Sequence, residues 1–405
     1  MNEKEVKNKI IAISGEPVSG KGTTVKKIIE KLKEQGYTEE HIHLETTGND
    51  FRRYFNSLID LIVNFNNKEE LEKIYKREEL REFFNNEVYR KILSRTIAQL
   101  KQKNINLSKF TINEANNREE FKDIRKIVDT LIDERMANKG KEINKEVHPN
   151  DIWIIDSRLA FHNIPEAFSV RLTTNANVAA KRLFNDNSRG KEDKYSNVED
   201  AKKEREMRRI GENTRYMNRY GVDLTDENNY DLIIDTSYST VDDIADVILQ
   251  GEKYYENDKK FAKKWASPKI FLPLQTERET LAKSTLSNLN IEDLIKAIKK
   301  NGYFPNSSIE VITVDGINYI IEGHHRNFAT AYCGKTLIPY EVLAKDDEIV
   351  GKFSKESARK RTEALTKGIL RGHEWLIKQQ DPDFDYEEIY PDIWKKLEEK
   401  EKESR

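Results

Sequence analysis

The stretch ISGEPVSGKGTT, residues 13–24, decides how the N-terminal half of the chain is read. It completes the β-branched run KIIAISG (9–15) and leads into TTVKKIIEKLKEQG (23–36), whose apolar residues recur at helical spacing before a stop at Gly36. Strand, glycine loop and helix succeed one another. Gly15, Gly20, Lys21 and Thr23 come close to the pattern G-x-x-x-x-G-K-[ST], with Gly22 inserted before the threonine. Glycines suit this chemistry because backbone amides must turn toward phosphate oxygens with no Cβ in the way, and the following helix adds the positive end of its dipole. The plain alternative is a βα turn with a surface lysine. Strand, spacing and helix instead agree on a nucleotide-phosphate site made of Gly15, Ser19, Gly20, Lys21, Gly22, Thr23 and Thr24. Lys21 is expected to neutralise the β and γ phosphates of ATP, and a hydroxyl of Thr23 or Thr24 to reach Mg2+.

Working outward, DIWIID (151–156), FSVRLTT (168–174) and YDLIIDT (230–236) read as further buried strands separated by helix-patterned stretches. That alternation predicts an α/β domain with a doubly wound parallel sheet over residues 1–255. Residues 50–135 or so are highly charged and helix-periodic, as in LEKIYKREELREFFNNEVYRKILSRTIAQL (71–100), and read as a helical insertion. GEKYYENDKKFAKKWASP (251–268) reads as a linker. KIFLPLQ, then IEVITVDGINYIIEG (309–323) with its D-G turn, a helix from His324 and LIPYEVL (337–343) predict a small α+β domain over 268–345. A charged helical tail is expected over 346–405.

The chain has 405 residues, 35 % of them charged and 37 % hydrophobic, with a formal net charge of −2. That length fits two or three domains, and the balance of charge advertises no basic field for nucleic acid. A single cysteine, Cys333, excludes an internal disulfide framework. The start MNEKEVKNKI lacks the hydrophobic core of a signal peptide, and no apolar run approaches the roughly 20 residues that span a bilayer. A soluble, cytoplasmic protein is the expectation.

The G-K-G-T form of the loop resembles that of nucleoside monophosphate kinases, the cytidylate and adenylate kinases. The resemblance covers about residues 8–250 and implies a P-loop phosphotransferase fold. TTGNDFR (46–52) is similar to their T-G-D-x-x-R acceptor motif at Thr47, Gly48 and Arg52, with Asn49 in place of the usual Asp. WIIDSRLA (153–160) resembles a segment of cytidylate kinase-like proteins in which the arginine contacts substrate. By that resemblance Arg158 faces the acceptor, and Asp156 holds Mg2+ or takes a hydroxyl proton. Arg182, Arg189, Arg205, Arg208, Arg209 and Arg215 lie where such kinases carry an arginine-rich lid, and Arg189, Arg205 and Arg209 are the expected catalytic members.

YIIEGHHRNFATAYCGKTLIPYEVL (319–343) resembles the ParB/sulfiredoxin-like superfamily, which includes CTP-binding partition proteins and kinases of free serine. Gly323 permits a tight turn into a helix whose N-terminus, with His324, His325 and Arg326, is expected to hold a nucleotide phosphate. Upstream, LPLQTERET (272–280) is similar to the superfamily's first box. Glu277 and Glu322 are the acids the resemblance implies for a second phosphoryl transfer. A zinc site is disfavoured, because adjacent histidines on one helical turn serve one metal poorly.

Together these readings predict an ATP- and Mg2+-dependent kinase of a nucleotide-like or hydroxylated metabolite carrying a second nucleotide-binding module. The other readings are a nucleotide-gated, DNA-associated ParB-like binder or nuclease, and a bifunctional protein whose ParB-like module is a free-serine-type kinase; a nucleic-acid partner belongs to the former and is not favoured, and no membrane partner is expected.

Overall fold

Strand β1 (Lys9–Gly15) is buried along almost its whole length, as its run of isoleucines requires. The structure is a computed structural model; it describes residues 8–64, 67–105, 118–186, 195–282, 291–302, 304–345, 360 and 363–403. The chain divides into two compact units, Met1–Ala12 with Glu39–Ala167 and Ile13–Thr38 with Phe168–Arg405. It is an α/β fold with mixed, mostly parallel strand pairing and helical insertions.

In the first unit, β2 (Ile42–Thr46) and β3 (Ile152–Asp156) run parallel, with Thr46 opposite Asp156 at their carboxyl ends. Among the described residues five α-helices lie between them: Thr47–Val63, Lys68–Tyr75, Glu78–Asn85, Glu87–Gln102 and Lys122–Ile143. Asparagines start two of these. Asn67 accepts from the Glu70 amide, and Asn86 accepts from those of Val88 and Tyr89. The helices share a core of their own, with Phe55, Leu58, Ile62, Phe83, Leu100, Phe121 and Val128 at its centre. The insertion is thus a packed helical layer that starts at Thr47 and runs to Ile143, somewhat beyond the stretch its periodicity marks. Gly140 lets the last helix approach closely, since a Cβ there would stand 2.7 Å from Ile164 Cγ1.

The second unit is ordered β4 (Phe168–Thr173), β5 (Leu232–Asp235), β6 (Lys264–Ala266), β10 (Ile338–Lys345), β8 (Ile309–Val314), β9 (Ile317–Glu322), β7 (Phe271–Leu272). Residues 251–268, which read as a linker, complete the helix Val241–Glu256 and then form β6. β6 pairs parallel with β5, Ile234 opposite Trp265, and antiparallel with β10, Ala266 opposite Ile338. Trp265 explains why a charged stretch can do this: it is fully buried, and its indole N–H donates to the Ala262 carbonyl at 2.8 Å. The D-G turn joins β8 to β9 with both Asp315 and Gly316 left-handed, as a two-residue hairpin demands. Helices Lys367–Ile377 and Pro391–Glu403, in the charged C-terminal stretch, place Leu370, Ile377 and Trp394 in the same core as Phe328 of the helix His324–Tyr332.

Candidate active site

The loop after β1 takes its shape from left-handed backbone. Gly20 is left-handed at φ +80° and starts the helix Lys21–Glu34, and no side chain caps that helix. Val18 is also left-handed, at φ +66°, which a β-branched residue adopts at a cost of about 1–3 kcal/mol. Left-handed residues inside a turn are what build anion-binding nests of backbone amides. The Ser19 N–H donates to Glu16 O at 3.1 Å, and the Thr236 hydroxyl donates to Ser19 O at 2.9 Å, so the residue after β5 holds the loop from behind.

The glycines have different reasons. A Cβ on Gly15 would meet Ser19 Oγ at 2.6 Å and the Leu172 carbonyl at 3.1 Å, so packing forbids it. A Cβ on Gly22 would meet nothing within 4 Å. Thr23 is exposed in the first helical turn, Thr24 is buried and Lys21 is half-buried.

Behind the loop, the Glu16 carboxylate accepts from Arg171 Nη2 at 3.2 Å and from Arg205 Nη2. The Arg205 side chain is only 3 % exposed; it also donates to the Thr174 carbonyl at 3.1 Å, and its Nε has no acceptor among the described residues. Arg205 Nη1 also lies 3.7 Å from Glu206, which pairs in turn with Arg209, so three guanidiniums and two carboxylates leave the cluster around this triad one positive charge in excess, beside a loop shaped for anions. Arg182 donates to the Thr236 hydroxyl at 3.2 Å and the Thr236 and Ser237 carbonyls at 2.6 and 3.2 Å. Burial raises the Asp235 carboxyl above its ordinary range although the Ser237 N–H and hydroxyl bind it.

Of the expected lid arginines, the structure brings Arg205 to the loop. Arg209 forks onto Glu206 at 3.0 and 2.7 Å, an interaction that lowers the Glu206 carboxyl and raises Arg209. Arg208 bonds Glu212, Arg215 stacks on Tyr216, and Arg189 lies outside the described residues. Sequence reasoning missed Glu16 and Arg171. The second had a signal: Arg171 is a lone charge inside the apolar strand FSVRLTT.

In the first unit the parallel ends of β2 and β3 gather the expected acceptor residues. The Thr47 hydroxyl donates to the Asp156 carbonyl at 3.4 Å, and the Thr47–Val63 helix begins there. Gly48 and Arg52 are exposed, while Asp156 and Arg158 are partly so. Asp50, one position after Asn49, pairs with Arg135 and with Arg53. Ligands of open α/β sheets bind outside such strand ends.

In the C-terminal part of the second unit, Gly323 is left-handed at φ +99° and opens the helix His324–Tyr332 without a side-chain cap. The three polar residues after it make bonds within the fold. Buried His324 accepts the Leu274 N–H at its Nε2 at 3.0 Å, and burial lowers its pKa to about 3. His325 Nε2 lies 3.1 Å from the Ala282 carbonyl, and Arg326 donates to the Ser307 hydroxyl and the Ser308 carbonyl at 2.9 and 2.6 Å. Glu322 is exposed at the end of β9. Glu277 lies against Gly372, and His373 donates to the Gln275 carbonyl at 3.1 Å.

A model of the cytidylate kinase-like family matches residues 56–238. Cytidylate kinases of Sulfolobus acidocaldarius and Methanocella arvoryzae are 32 % and 31 % identical over 111 and 122 residues; the matches cover 27 % and 30 % of this chain and 57 % and 64 % of those proteins. An S-adenosylmethionine-dependent nucleotide dehydratase of Lacinutrix mariniflava is 33 % identical over 105 residues, 26 % of this chain and 21 % of that protein. The chain therefore spans less than two thirds of the length of each of these relatives. No helix among the described residues is long and apolar enough to cross a membrane. Over part of its length, this chain is similar to cytidylate kinase-like proteins.

Proposed function

We propose that this chain is an ATP-dependent phosphotransferase with a nucleotide-like acceptor. The observation that carries the reading is the uncapped helix start behind left-handed Val18 and Gly20, backed by the Arg171–Glu16–Arg205 triad. Amides of the loop and Lys21 hold the ATP phosphates, and the triad's excess positive charge stabilises charge that spreads over the transferring phosphoryl. Thr47, Gly48, Arg52 and Arg158 orient the acceptor, and Asp156 takes the proton of the attacking group. The relatives' names, cytidylate kinase and nucleotide dehydratase, support a nucleotide acceptor over other hydroxyl compounds.

The donors suit Mg2+, which takes oxygen ligands and keeps its waters and substrate phosphates. The exposed Thr23 hydroxyl beside the loop is of that class, and no group of three or more His, Cys, Asp or Glu among the described residues forms an all-protein metal cage. When bound, Mg2+ would neutralise charge on the β and γ phosphates.

The ParB-like reading of residues 268–345 rests on left-handed Gly323 and the uncapped helix after it. In it the module holds a second phosphate on those amides, with exposed Glu322 as the acid. His324 then serves to place the Leu274 amide, and Arg326 to fix the β8 entry.

Labelled ATP with Mg2+ tests both parts. Transfer to CMP, UMP or AMP that drops on Arg52→Ala and Arg158→Ala and persists in Glu322→Ala supports the reading. Transfer to free serine alone, lost in Glu322→Ala, would replace it with a serine-kinase function of the second module.

A further inference from the structure

Two consecutive helices of the insertion turn matching faces toward one cleft. Arg81, Phe84 and Asn85 stand at i, i+3 and i+4 on Glu78–Asn85, and Arg90, Leu93, Ser94 and Ile97 at i, i+3, i+4 and i+7 on Glu87–Gln102. With Leu61 and Tyr75 they line an open cleft of about 640 Å³, inside the range of roughly 300–1,000 Å³ usual for small-molecule sites. Leu61, Leu93 and Ile97 are buried and form an apolar floor. The rim is of another character: Arg81, Arg90, Asn85 and Ser94 are exposed.

Two features of this rim point to a ligand. Arg77, Arg95, Arg118 and Arg135 of the same unit all pair with carboxylates, whereas Arg81 and Arg90 have no ion-pair partner among the described residues. Tyr75 is 49 % exposed while its ring packs on Phe84 with centroids 4.8 Å apart, so exposed aromatic surface lines the same cleft as the two arginines. Leu61 lies fourteen residues along its helix from Thr47, about 21 Å at the rise of an α-helix, so the cleft is separate from the Thr47 and Asp156 strand ends.

We propose that this cleft is a second ligand site, for a phosphorylated aromatic heterocycle of the nucleotide class. The heterocycle packs on Tyr75 and Phe84 over the apolar floor, and the phosphate sits between the Arg81 and Arg90 forks, whose planar donors match phosphate oxygens. The Asn85 amide and Ser94 hydroxyl offer a donor and acceptors to the edge of the ring. An acyl anion would leave both of these unused.

The test is equilibrium dialysis of the full chain with labelled CMP and AMP, with dodecyl phosphate and inorganic phosphate as controls. In the background Lys21→Ala/Arg52→Ala/Arg158→Ala, which disables both the ATP loop and the proposed acceptor residues, one bound nucleotide per chain is expected to remain, at this site. Arg81→Gln/Arg90→Gln is expected to weaken that binding by about tenfold or more. Ser94→Trp, which fills the cleft from an exposed position, is expected to do the same with unchanged circular dichroism and thermal melting. Nucleotide binding unaffected by either of these two variants overturns the site. Dodecyl phosphate or inorganic phosphate binding as tightly as CMP overturns the assignment of an aromatic ligand.

Discussion

Glu16, partly exposed, and buried Arg205 form an ion pair that joins the loop after β1 to the helix Val198–Tyr220. Because Glu16 also binds Arg171, one carboxylate restrains two guanidiniums at the back of the loop. Removing it takes the carboxylate from buried Arg171 and leaves buried Arg205 only Glu206, at 3.7 Å, and breaking a largely buried pair from one side is costly. Glu16→Ala is expected to lose about 3 kcal/mol of stability in urea denaturation. Mg·ATP should restore more stability to this variant than it adds to wild type, since phosphate replaces the lost anion. A loss under about 1 kcal/mol, with no extra rescue, would reduce the pair to an incidental contact.

Gly15 and Gly22 separate folding from binding. Gly15→Ala pushes a methyl into Ser19 Oγ and the Leu172 carbonyl, so it is expected to lower the melting temperature. Gly22→Ala meets open space, so the protein should fold normally while ATP affinity drops by about tenfold or more, because the methyl then stands where the phosphates approach. Thermal melting and ATP titration of the two variants check this; equal melting losses would contradict it.

Val18 tests the strain in the loop. Val18→Gly removes the penalty of a left-handed β-branched residue but loosens the unfolded chain, so a net gain of about 1 kcal/mol or less is expected. Affinity for Mg·ATP should fall at the same time, as the preorganised turn gains freedom. A clear loss of stability in chemical denaturation would show that Val18 is held by packing instead.

His324 gives a pH dependence with a defined sign. Burial, with His373 and His325 adding repulsion, holds its pKa at about 3, against about 6.5 in the unfolded chain. Between those values the unfolded state takes up a proton that the folded state refuses. The stability from this group is therefore complete above pH of about 6.5 and falls by about 1.4 kcal/mol per pH unit below it. His324→Gln should cost stability at neutral pH, because the Leu274 amide loses its imidazole acceptor, and should flatten the acid slope. Burial lowers His373 too, so a residual slope from that residue is expected. An unchanged slope in pH-dependent melting would contradict the assignment.

The N-terminal strand, loop and helix were legible because glycine spacing and apolar periodicity are local signals. β6 was not, since KKWASP is charged and becomes a strand only because Trp265 finds a buried slot beside β5 and β10. The insertion was legible as helical, but its cleft was not. The arginines at 81 and 90 look like any solvated charge until tertiary packing shows which of them lack carboxylates. The same holds for the arginines after β4: sequence could nominate Arg205, Arg208 and Arg209 but could not tell the one that turns inward to Glu16 from those that pair along their own helix. For His324, the helix start was readable and the direction of the ring was not.

The role proposed for the Gly15–Thr24 loop is to hold the phosphates of Mg·ATP. Hydrogen exchange of the full chain with and without Mg·ATP tests it most directly. Slowed exchange of amides between Gly15 and Thr24 is expected in wild type, with loss of that protection in Lys21→Ala. Unchanged exchange in this loop at saturating Mg·ATP would contradict it.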